Sequence, residues 1–195
     1  MSRDVYEEVD FKKIEHSFIY QCAPVIAGLK ISNLFIIEMI WLKKALDLIE
    51  AFGLSYHMLY SAYDKAVIFV FNREKTTESI NRAANSAFFR DIGYSELSLD
   101  HLLTKISVRY RGYMKHKAGF PDELGILLGY PEEDVKGYIE NKGKNYLYNG
   151  YWKVYRDVEE KKSRFDSFDR ATEELIRKLI ADKDIKPIVN MYKVA

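Results

Sequence analysis

The chain has 195 residues, 30 basic and 29 acidic side chains and a formal charge of +1. That length predicts one domain, 1–195, able to fold around its own core without a disulfide or a structural metal. The 48% hydrophobic and 30% charged content excludes a disordered chain, and the single cysteine, Cys22, excludes an intrachain disulfide or a cysteine-rich zinc site.

Taken in chain order, residues 4–21 predict a helix, with Phe11, Ile14, Phe18 and Cys22 spaced by three and four, and Pro24 ending or kinking it. Residues 29–37, opened by Gly28, favour a strand. Residues 38–52 return to helical period on Leu42, Ala45, Leu46, Ile49 and Phe52, with Gly53 as the C-terminal cap. Residues 54–61 and 65–72 are aromatic and β-branched runs that predict a hairpin turning at Ala62-Tyr63-Asp64. Thr76 or Thr77 is placed to cap the next helix, whose buried face would be Ile80, Ala83, Ala84, Ala87 and Phe88, closed by Gly93. A further helix begins after Ser95 or Ser98 on Leu99, Leu102, Leu103 and Ile106. Residues 124–128 predict another strand, Pro131 opens a short helix through Ile139, and 141–145 form a loop. Residues 146–155 predict a last strand, and 157–182 a long amphipathic helix.

This order predicts an α+β fold with a mixed or antiparallel sheet. It is compatible with a ferredoxin-like β-α-β-β-α-β core carrying one inserted helix, flanked by N- and C-terminal helices. The most apolar stretches, 34–42 and 67–71, fall far short of the roughly 20 residues that a spanning helix needs. The first ten residues lack the apolar run of an export signal, so the expectation is a cytoplasmic protein with no membrane partner.

Two segments concentrate chemistry. Residues 105–117 interleave Lys105, Arg109, Arg111, Lys115 and Lys117 with Tyr110 and Tyr113 and hold no acid. Residues 141–156 place Asn141, Lys142, Gly143, Lys144 and Asn145 before five aromatics alternating with Lys153 and Arg156. A glycine between lysines can turn backbone amides towards an anion, and aromatics beside cations can stack on bases. The bland readings are a solvated helix face and a half-buried strand. Alternation along 146–155 puts Tyr146, Tyr148, Gly150, Trp152 and Val154 on the core side and Lys153 on the outer side.

Other candidates are weaker. The helix at Pro131 begins with Glu132, Glu133 and Asp134, which satisfy its dipole and repel a phosphate. Cys22 is either a reactive thiol at a helix end or a buried, inert one; its apolar stripe favours the second. His16, His57, His101 and His116 never show a metal-ligand spacing. Asp122 and Glu123, neighbours on a predicted extended segment, would point to opposite faces and so make a poor acid–base pair. No nucleophile elbow, phosphate-binding glycine motif or zinc-protease helix is present.

Three blocks of residues form a recognisable pattern. The first is Cys22-Ala23-Pro24 with Ala27-Gly28-Leu29-Lys30 and Asn33-Leu34-Phe35. The second is Phe120-Pro121-x-Glu123-x-Gly125-x-x-Leu128-Gly129-Tyr130-Pro131-x-Glu133-Asp134-Val135. The third joins Ile139-Glu140-Asn141-Lys142-Gly143-Lys144-Asn145 to Gly150-x-Trp152-Lys153-Val154-Tyr155. In these the chain closely resembles domain-of-unknown-function family 3793, over nearly its whole length and most strongly in 120–156. The resemblance implies a single-domain protein of a type found mainly in anaerobic bacteria, and carries no activity with it. Members often have cysteines after the Gly-Lys-Asn loop, where this chain holds Tyr146, Tyr148 or Tyr151. A thiol or metal role running through those cysteines would be missing here.

Three functions compete. The first is a binding or accessory protein whose small, anionic and aromatic ligand meets Lys30, Asn33, Asn141, Lys142, Gly143, Lys144, Trp152 and Lys153. The second is an enzyme, such as a transferase on a phosphorylated substrate, with Lys30 or Cys22 as the reactive group. The third is a weak RNA binder using Arg109, Arg111, Lys115 and the tyrosine-rich strand; near-neutral net charge argues against it without removing a local patch. Which cofactor, if any, the protein uses is unknown from the sequence.

Overall fold

A computed structural model of the chain describes residues 2–84, 88–94 and 96–193, with only the backbone of Ala83, Ala84 and Asp91. Expectations for Ala87, for Ser95 and for the side chains of Ala83 and Ala84 therefore lie outside the described residues. The fold is α+β, and it divides into two compact units, Met1–Asn72 with Asp166–Ala195, and Arg73–Phe165.

The first unit is organised by an antiparallel sheet of three strands in the order β1 (Ser32–Glu38), β3 (Lys65–Phe71), β2 (Ser55–Ala62). β3 is buried at every position after Lys65, as a central strand covered on both faces should be. Ala66, Ile68 and Val70 on one face join a core with Phe18, Phe35 and Phe52. That core is completed by helices α2 (Ile14–Ile26), α3 (Leu42–Ala51) and α10 (Lys186–Tyr192), and by the 166–182 part of α9 (Val158–Asp182). β1 and β2 both run antiparallel to β3, hence parallel to each other, and α3 lies between them in sequence. This is the split β-α-β half of the expected ferredoxin-like arrangement.

The second half of that arrangement does not form. Residues 124–128, expected as its strand, begin with helix α7 (Leu124–Leu127). The Leu124 amide donates to Pro121 O, and Gly129, at φ 75°, ends the turn with the Tyr130 amide on Gly125 O. A short apolar run has no diagnostic period, and the flanking proline and glycine select the helix.

Other boundaries move for local reasons. The expected 4–21 helix is two helices, α1 (Arg3–Glu7) and α2, parted where Asp10 Oδ1 accepts the Lys12 amide and the Asp10 amide donates to His16 Nδ1. α2 runs through Pro24 to Ile26, because a proline in a last turn forfeits a single bond. Gly28, at φ 71°, then lets the amides of Leu29 and Lys30 close on Pro24 O. The hairpin turns at Tyr63, as expected, with a register shift between Met58 and Tyr60.

The second unit holds α4 (Arg73–Ala84), α5 (Phe88–Asp91), α6 (Leu99–Met114), α7, α8 (Glu132–Glu140) and the start of α9. α4 starts before Thr76 and Thr77, so neither caps it; the Thr77 hydroxyl donates back to Arg73 O instead. The strand expected over 146–155 is a small hairpin of β4 (Tyr148–Asn149) and β5 (Lys153–Val154). It bends at Gly150, where a Cβ would come within 2.4 Å of the Phe165 ring.

Candidate functional site

The second unit contains a cleft of about 630 Å³ whose wall is shared by the segment after α5, α6, the turn before α7 and the end of α8. Its polar centre is Glu123, which is 1% exposed. The Tyr94 hydroxyl and the Arg109 guanidinium both donate to Glu123 Oε1. Two charge-assisted bonds to one carboxylate are how a buried acid is tolerated, and they fix the guanidinium in place. Burial and the bond to Glu123 push the Tyr94 hydroxyl far above its ordinary value, so it remains a donor.

α6 supplies the rest of the charge. Lys105 and Arg109 stand four apart and therefore share a helix face. The Lys105 ammonium lies 5.0 Å from the Tyr94 ring centroid, a cation–π contact. The side chain of Arg109 is 43% exposed, so a guanidinium anchored by one N–H presents others at the cleft wall. Ile92, Val108 and Ile139 line the remainder with apolar surface.

Asp122 lines the same cleft, which corrects the expectation that it and Glu123 diverge. Glu123 has helical backbone angles, φ −62° and ψ −19°, and the Gly125 amide donates to Asp122 O. In such a turn neighbouring side chains are rotated by about 100° instead of being opposed across a strand. Burial, then the charge of Glu123, raises the Asp122 carboxyl above its usual range, with Arg109 partly offsetting them. The signal that could have found this site was the proline-acid-acid entry into an apolar run, a helix start with two carboxylates just before its first turn.

The residues expected to form a ligand site fall into both units and have structural partners. In the first unit, Lys30 is 5% exposed and donates to Asn33 Oδ1 at 2.7 Å, while Asn33 Nδ2 donates to Gln21 O. Gln21 completes the outer edge of β1, taking the Ile36 amide at 2.9 Å and giving its own to Ile36 O. This row of side chains covers an edge strand. Cys22 is fully buried, and burial pushes its thiol far up, with Lys30 only partly opposing. Both side chains are thus buried. Cys22 should label slowly with a thiol reagent in the native protein and at the free rate in denaturant. Labelling in seconds without denaturant would return it to the reactive class.

In the second unit, the amides of Lys142, Gly143 and Lys144 donate to Ile139 O, Tyr138 O and Asn141 O. They finish helix α8, with Lys142 and Gly143 at φ 51° and 70°, and are not turned towards an anion as expected. Asn141 Nδ2 donates to Gly137 O, and Lys153 Nζ to Gly143 O at 2.7 Å. Lys153, expected to point outward, is half-buried and lies 5.0 Å from the Tyr146 ring and 5.7 Å from that of Tyr138. Trp152 is buried on the core side, as its alternation predicted, and its Nε1 donates to Asp134 Oδ2 at 2.8 Å. Tyr146 and Tyr148, assigned by the same alternation to the core, are instead exposed. The ammonium groups of Lys142 and Lys144 are on exposed residues.

Among the described residues no group of three or more His, Cys, Asp or Glu side chains is placed to hold a metal ion. No helix among them is long and apolar enough to cross a membrane.

The molecule is thus an α+β protein with a polar-centred cleft in its second unit. A family described as protein of unknown function, DUF3793, matches residues 18–189, and the chain belongs to it. No curated protein and no solved structure matches it.

Proposed function

We propose that the protein binds a small molecule with an anionic group and an apolar body, in the cleft around Glu123. What supports this is one arrangement: a buried carboxylate that grips Arg109 from behind, leaving its remaining N–H donors and the Lys105 ammonium at an apolar cleft wall. A carboxylate or phosphate fits the two cations, and Ile92, Val108 and Ile139 receive the apolar part.

The test is a thermal-shift panel of aromatic and aliphatic carboxylates and phosphate esters beside their uncharged amides and alcohols. Anionic members at about 100 times their Kd should stabilise by about 2.7 kcal/mol, and uncharged counterparts should not. The Lys105→Gln/Arg109→Gln double variant should lose the response. Equal shifts for charged and uncharged members, or an unchanged double variant, would sink the reading.

Asp122 makes the same reading pH-dependent. Its raised carboxyl means that the folded chain holds that proton more tightly than the unfolded chain does. Its contribution to stability is therefore complete in acid and is lost as pH rises through the folded value. Asp122→Asn should be more stable than the parent at neutral pH, with the difference vanishing in acid. It should also bind the anion more tightly at neutral pH, since a like charge leaves the wall. A neutral or destabilising Asp122→Asn at pH 7 would show that the carboxyl is not penalised there.

A further inference from the structure

The segment 141–156 carries Lys142, Lys144, Lys153 and Arg156 and no acid, and the cleft around Glu123 uses none of it. Its tyrosines do not lie in a covered strand: Tyr146, Tyr148 and Tyr151 are 42%, 38% and 38% exposed. Burying such rings is favourable, so three of them exposed over residues 146–151 form a surface with unused capacity. The rings are nonetheless held. Tyr148 stacks on Phe165 at 6.2 Å between centroids, Tyr151 packs on it at 5.5 Å, and Lys153 lies over Tyr146. A ring already fixed loses little further freedom when another flat group settles on it.

The surrounding charge points the same way. On the adjoining helices Glu132 is paired with Lys136, Glu133 with Lys161 and Glu159 with Lys162. Lys142 and Lys144 are exposed at the entry to the hairpin, two and four residues after Glu140, an exposed acid that these pairs leave out. A neutral sugar polymer has no use for those cations, and a duplex hides the faces of its bases from the rings. We infer that the 142–151 segment is a binding surface for single-stranded nucleic acid, its bases stacking on Tyr146, Tyr148 and Tyr151 and its phosphates facing Lys142 and Lys144.

Fluorescence anisotropy with a labelled oligo-U and oligo-dT of about 12 nucleotides, and a duplex of the same length, tests this. Single strands should bind at low salt at least about tenfold more tightly than the duplex, and the RNA-to-DNA ratio reports any use of the 2′-hydroxyl. Lys142→Ala/Lys144→Ala should weaken binding and flatten the salt slope by about 1.4, from roughly 0.7 per phosphate contact. Replacing the three tyrosines by alanine should weaken it by about tenfold or more. The corresponding triple leucine variant, which keeps apolar packing but offers no stacking face, should lose as much and serves if the alanine protein does not fold. No binding at low salt would overturn the inference. So would equal affinity for duplex and single strand, or a leucine variant that binds like the parent, since each means plain attraction to a polyanion or none.

Discussion

Trp152→Ala is expected to lower the free energy of unfolding by about 3–5 kcal/mol in urea titrations, a large loss for a single side chain. Trp152 is 6% exposed, stacked on Tyr130 at 4.9 Å and edge-on to Phe165 at 4.5 Å. Its indole N–H also satisfies Asp134, whose other oxygen takes the amides of Tyr155 and Arg156. One buried carboxylate therefore ties the start of α8 to β5 and to the approach of α9, and truncating the indole leaves both a cavity and an unpaired acceptor. Trp152→Phe separates the two effects, since it keeps most of the volume and loses only the donor; about 1–2 kcal/mol is expected. Lys153→Ala should cost about 1 kcal/mol, more than a surface lysine would, because its ammonium bonds Gly143 O. A loss below about 1 kcal/mol for Trp152→Ala would mean that the ring packs against nothing that matters.

Glu123→Ala is expected to cost about 2–3 kcal/mol and to abolish the response to anionic ligands. It removes the shared acceptor of Tyr94 and Arg109, leaving a buried hydroxyl without a partner and a guanidinium that is no longer held. The figure lies below that for a fully buried ion pair because the Arg109 side chain is 43% exposed and can regain water. Glu123→Gln retains an acceptor of nearly the same shape, so it should lose about 1 kcal/mol while still weakening ligand binding through the freed Arg109. Unfolding curves and the thermal-shift panel on the same two variants give both readings. Full ligand response in Glu123→Ala would show that Arg109 needs no anchor, and with it would go the central support for the cleft as the site.

Family membership and most elements were legible in the sequence because they rest on short-range regularities. The 3.6 period of α3 and α9, the glycine stops at Gly53 and Gly93, and the β2–β3 hairpin are set by neighbours a few residues apart. The α+β class follows from these, as does the burial of Trp152 and Cys22. Where a local signal is ambiguous, the reading failed: 124–128 is apolar without a period, and it becomes a helix because Pro121 and Gly129 bracket it.

Pairing in the folded chain decided the rest. Lys30, Asn33, Asn141 and Lys153 were conspicuous as polar residues without an evident folding reason, yet each bonds a partner that covers a strand edge, caps a helix or closes a loop. Conversely, Asp122 and Glu123 looked inert, and Tyr94 drew no notice, until the turn before α7 brought Glu123 against α6 from a distance of 29 residues in the chain to Tyr94 and 14 to Arg109. A sequence displays which groups could carry charge or stack. Which of them are spent on backbone amides and carbonyls, and which are left facing a cleft, is settled only when distant segments meet, because a buried polar group must find its partner wherever the fold places one.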